Sequence, residues 1–79
     1  MLEDLRSGRK VVGIKQLRKA VSANQVKVVF LADNADPSLT DPVRRMCRER
    51  DIPVVDVPTM AELGRACGIS VSASAAGLM

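Results

Sequence analysis

Between Val26 and Ala32 the chain runs Val-Lys-Val-Val-Phe-Leu-Ala, an apolar, β-branched stretch broken only by Lys27. It lacks the alternation of a strand with one wet face, so it reads as a central strand covered on both sides. The whole chain has 79 residues, enough for one domain and too few for two, since domains rarely fall below about 50 residues. Residues 1–79 are therefore expected to form a single domain, and the cover must come from the segments flanking this strand.

Those segments have the required pattern. Leu2–Ser7 reads as a short helix ended by Gly8, and Lys10–Val12 as a short strand that stops at Gly13. Ile14, Leu17, Ala20 and Val21 then recur at helical spacing, with Lys15, Gln16, Arg18 and Lys19 off that stripe. Asp33–Pro37 is expected to be a loop. From Ser38 to Arg50, Leu39, Val43, Met46 and Cys47 mark a second helix, with Pro42 placed in its first turn, where a missing N–H costs little. Its outer face carries Arg44, Arg45, Arg48 and Arg50. Ile52–Val57 reads as a strand, and Thr59 with Glu62 forms a capping box that opens a third helix, faced inward by Met60, Leu63, Gly64 and Cys67. Gly68 sits where a left-handed cap belongs. Ile69–Ala73 is expected to be a loop running into a last strand, Ser72–Leu78, whose small residues let a helix pack close. Alternating strands and helices give an α/β fold with helices on both faces of a sheet of about four strands.

Composition narrows what such a fold can do. Phe30 is the only aromatic residue, so the stacking platforms of single-strand binders and RNA-recognition sheets are missing. There is no His, Tyr or Trp, and neither Cys47 nor Cys67 has an obvious base beside it. A non-enzymatic protein is expected. The two cysteines stand 20 positions apart without histidine, which fits reduced core thiols better than a zinc site. No metal or cofactor is expected. No signal-peptide pattern opens the sequence, and the uncharged stretch Ala66–Met79 is shorter than the roughly 20 residues of a membrane-spanning helix. The expected location is the cytoplasm, with no membrane partner. Lys and Arg number 12 against 9 Asp and Glu, for a net charge of +3, a modest field that favours a polyanion.

Two places stand out as candidate binding elements. Gly13 ends a strand and opens a helix, so free N–H groups and a positive dipole end face outward with no Cβ in the way of a phosphate. Lys15 and Lys19, one turn apart, reinforce it; the competing reading is a solvated helix face. In Gly68-Ile69-Ser70-Val71, two β-branched apolar residues fall in a loop. Exposed, they call for a partner; turned inward, they are simply core. Asp33 and Asp36 read as turn chemistry rather than as a metal or acid pair.

The sequence Gly13-Ile14-Lys15-Gln16-Leu17-Arg18-Lys19 resembles the Gly-x-Asn-Glu-x-x-Lys signature of the kink-turn-binding ribosomal protein family. The likeness extends through Ala35-Asp36-Pro37, Ile52-Pro53, Leu63-Gly64-Arg65-Ala66-Cys67-Gly68 and the small-residue end, and is greatest toward the short bacterial YbxF/YlxQ-type members. Lys15 stands where the archaeal pattern has Asn, and Gln16 where it has Glu.

The resemblance implies a three-layer α/β/α sandwich with a mixed sheet. It also implies a monomer that binds kink-turn or similarly kinked RNA, associated with the ribosome or a riboswitch. Gly13, Lys15, Gln16, Arg18 and Lys19 would then be the RNA-reading residues, entering beside the sheared G·A pairs. Ile69, Ser70 and Val71 would cover an extruded base. The alternative function is a protein-interaction module of a ribonucleoprotein without specific RNA readout.

Overall fold

The computed structural model describes residues 2–79. In chain order the elements are α1 (Asp4–Ser7), β1 (Lys10–Val12), α2 (Ile14–Ser22), β2 (Val28–Ala32), α3 (Pro37–Glu49), β3 (Val54–Val57), α4 (Met60–Ala66) and β4 (Ala75–Leu78). The strands form one mixed sheet in the order β1-β4-β2-β3. Strand β4 pairs antiparallel with both β1 and β2, while β2 and β3 are parallel.

Side chains alternate across this sheet and split the core in two. Val29 and Leu31 of β2 and Ala75 of β4 join Leu17, Ala20 and Val21 of α2 and Val43 and Cys47 of α3. On the other face, Phe30, Ala32 and Ala76 meet Leu5 of α1, Leu63 of α4 and Cys67 just after it. The strand through Val28–Ala32 is thus covered on both faces, as its unbroken apolar run requires. Gly77 lets α2 come close: a Cβ there would lie 2.6 Å from Leu17 Cδ1. Burial pushes the thiols of Cys47 and Cys67 above the ordinary range, and both are free.

Three helices stop in the same way. Asn24 (φ 58), Asp51 (φ 56) and Gly68 (φ 77) follow α2, α3 and α4 in the left-handed region. In each case the next residue's N–H reaches back to close the helix: Gln25 to Ala20 at 3.1 Å, Ile52 to Cys47 at 2.9 Å and Ile69 to Gly64 at 3.2 Å. Only the glycine announced itself.

Several expected bounds are corrected. The first helix begins at Asp4 rather than Leu2, and the three longer strands begin two or three residues later than expected, at Val28, Val54 and Ala75. Hydrophobicity continues past the residues that pair, because Val26 and Ile52 are drawn to the core on the approach. Helix α3 starts at Pro37, not Ser38, since the Asp36 carboxylate caps it by accepting from the Ser38 N–H at 3.0 Å. Pro42, five residues past Pro37, lies inside the helix rather than in its first turn. The bond it forgoes would have reached the exposed Ser38 carbonyl, where water can take its place.

Candidate nucleic-acid interface

Gly13 has φ 103 and ψ 150, a backbone region essentially confined to glycine. A Cβ there would meet nothing within 4 Å, so conformation rather than crowding demands the glycine, and its outer side stays open. Its carbonyl accepts from the Leu17 N–H at 2.9 Å and thereby starts α2. Its own N–H donates to the Ala75 carbonyl at 2.9 Å. That bond fixes the start of α2 to the start of β4.

The loop before β4 is held at the same end of the sheet. Ala32 N–H donates to Ser74 O at 3.0 Å, Ala73 N–H to Met60 O at 3.0 Å, and Met60 N–H to Asn34 Oδ1 at 2.8 Å. The mouth of α2, the end of β2, the start of α4 and the loop at residues 69–74 therefore share one rim. Topology places here two segments that are more than fifty positions apart in sequence.

Within α2, Leu17, Ala20 and Val21 are buried, while Lys15, Gln16, Arg18 and Lys19 are all exposed. Gln16 and Lys19 border a shallow groove against Val11 at the β1 edge. From Leu5 to Ala32 the chain carries Arg6, Arg9, Lys10, Lys15, Arg18, Lys19 and Lys27, and no Asp or Glu. The first turn of α2 has no acidic residue either, so no carboxylate of this stretch offsets the positive helix end.

The loop splits the two readings open to Ile69 and Val71. Ile69 is half-buried and packs on the α1/α4 side of the core, whereas Val71 is 67% exposed. Ser70 is exposed as well. Gly64 makes this possible: a Cβ there would collide with the Val71 carbonyl oxygen, so the loop lies directly against α4. Val71 and Leu39 are the large hydrophobic residues left exposed among those described.

Sequence reasoning did not single out two participants. Asn34 ties its loop to the first residue of α4 across 26 positions, and no local pattern signals such a bond. Arg65 borders a concavity of about 240 Å³ together with Ala61, Ile69, Ser70, Val71 and Ser72. It was visible only as part of the Leu-Gly-Arg-Ala-Cys-Gly string. On and just after α3, Arg44 is bound to Asp56 of β3 at 2.8 Å, and Arg50 donates to Asn24 Oδ1 at 3.1 Å. The Asp56 carboxylate raises the Arg44 pKa.

Comparison with known proteins adds an independent line. Residues 2–78 match the ribosomal protein L7Ae/L30e/S12e/Gadd45 family. An RNA-binding protein of Geobacillus sp. strain WCH70 is 39% identical over 75 residues, spanning 95% of this chain and 92% of the relative. RNA-binding protein YbxF of Geobacillus stearothermophilus is 33% identical over 75 residues, with the same 95% and 92% coverage. Among solved structures, the Giardia lamblia 15.5kD RNA binding protein superposes with a TM-score of 0.90 at 26% identity, over 98% of this chain and 68% of that one. A Bacillus halodurans protein of unknown function superposes at 0.87 and 28% identity, over 98% and 81% of the two chains.

Proposed function

The chain belongs to the ribosomal protein L7Ae/L30e/S12e/Gadd45 family, and on that premise we propose that it is a non-enzymatic, cytoplasmic RNA-binding protein that recognises a kink-turn. The observation that carries the reading is the bond from Gly13 N–H to Ala75 O. It sets an open, basic helix start beside a loop that shows an apolar side chain to solvent, the two chemistries that a kinked RNA with an extruded base requires.

Division of labour follows from residue chemistry. Gln16 carries both a donor and an acceptor and can address a base edge. Lys15 can donate to guanine or phosphate, and Arg18 and Lys19 supply charge that draws the backbone in. Val71 and Ile69 offer apolar cover and Ser70 a hydroxyl. The rival function, an interaction module working through α3, loses Arg44 to its partner Asp56, which leaves Arg45 and Arg48 as the exposed arginines of that helix.

A gel shift tests the proposal with a standard kink-turn and the same duplex carrying Watson–Crick pairs in place of its sheared G·A pairs. The kink-turn should bind much more tightly. Equal affinity would leave only the general attraction of a basic surface for a polyanion.

A further inference from the structure

The concavity between α4 and the loop lies alongside the residues named above, and its chemistry is mixed in a specific way. Ile69, Ser70, Val71 and Ser72 of the loop line it together with Ala61 and Arg65 of α4, so apolar, hydroxyl-bearing and cationic residues meet there. Arg65 is exposed, and its guanidinium makes no hydrogen bond or ion pair among the described residues. Glu62, one turn earlier on the same helix, gives its backbone N–H to the Thr59 cap and does not pair with it. An arginine in the last turn of a helix is favoured by the dipole alone. That explanation accounts for its charge but not for the seat beside it. Gly68 N–H donates to Arg65 O at 3.0 Å and Ile69 N–H to Gly64 O at 3.2 Å, so the start of the loop is tied to the last turn of α4, which carries Arg65.

We propose that the Arg65 guanidinium, on the α4 side of this concavity, neutralises a phosphate flanking the base that Val71 covers. The assignment rests on the RNA-binding reading above and adds a contact residue to it. An apolar shelf takes the face of a base, and a guanidinium with hydroxyls takes the anion attached to it. Arginine suits the second task because its planar fork can grip a phosphate through two N–H groups.

The test uses the full chain and four RNAs: the kink-turn, its Watson–Crick control, and two kink-turns in which the phosphate on one side or the other of the extruded nucleotide is an uncharged methylphosphonate. Arg65→Ala should weaken kink-turn binding about tenfold and lower the slope of log affinity against log salt by roughly 0.7–0.9. Arg65→Lys should recover much of the affinity. On one of the methylphosphonate RNAs the Arg65→Ala penalty should vanish, since the charge it answers is gone. A penalty that persists undiminished on both neutral-linkage RNAs, or no penalty on the kink-turn, overturns the Arg65 assignment while the wild type still prefers the kink-turn. If the wild type binds kink-turn and control alike, the underlying RNA reading fails and this proposal fails with it. The thermal midpoint of Arg65→Ala should stay close to wild type, which separates lost contact from lost fold.

Discussion

The start of α2 and the loop at residues 69–72 lie on one rim, yet they are built by opposite means. The first is a local construction: a glycine in a conformation few other residues tolerate, then a helix whose polar face carries Lys15, Gln16, Arg18 and Lys19. The second has no regular structure and depends on a neighbour, because its path exists only where Gly64 leaves room for the Val71 carbonyl. A polar reading surface can be written in consecutive residues, whereas an exposed apolar surface must be held up from behind. The comparison predicts that the helix start fails residue by residue and that the loop fails as a unit.

The largest effect should come from Gly64→Ala. The added methyl meets backbone rather than a movable side chain, so the cost should approach about 3 kcal/mol, the upper end for overpacking. For a domain of this size that lowers the thermal midpoint by roughly 10 °C or more, and kink-turn binding should fall with it. An unchanged midpoint would show that the loop is not pinned to α4.

Val71→Asp should act on binding alone. The side chain is 67% exposed and contributes little to the free fold, so calorimetry should find a near-wild-type midpoint while affinity for the kink-turn drops about tenfold or more. A large loss of stability would place Val71 in the core and remove it from the interface.

Gln16→Ala should cost about 1–3 kcal/mol on the kink-turn, the worth of a good base-edge contact, and much less on the paired control. Arg44→Ala, by contrast, should at most weaken both RNAs alike, because its guanidinium is already paired with Asp56. Equal losses for Gln16→Ala on the two RNAs would move the reading head elsewhere.

These contrasts bear on how much was legible in advance. The four strands, the stripe of Leu17, Ala20 and Val21, the Thr59 cap and the turn at Gly68 follow from period and local chemistry, and the structure contains each of them. The split between Ile69 and Val71 was not legible, since it depends on which side of a loop α4 happens to cover. Asn24 and Asp51 ending helices in the left-handed region were equally hidden; Asn and Asp tolerate that region without requiring it. Pro42 misled because it stands five residues past Pro37, beyond the first turn whose N–H groups have no partner in the helix.

The smallest expected effect concerns that cap. The hydrogen bond from the Ser38 N–H holds the Asp36 carboxyl below its ordinary value of 3.8. A depressed folded-state pKa means that its contribution is complete above the ordinary value and is lost as pH falls through the folded one. Asp36→Ala should therefore lower the thermal midpoint slightly at neutral pH, and its deficit should shrink in acid below that ordinary value. A deficit that does not change with pH would mean the carboxylate is not the capping group.

The central claim, that the rim recognises a bent RNA rather than a charged one, is tested most directly by energy transfer between fluorophores on the two ends of a kink-turn at low magnesium. Added protein should bring the ends together, raising transfer in step with binding, and the Watson–Crick control should remain extended under the same titration. Saturable binding to the kink-turn with no change in transfer would contradict the account.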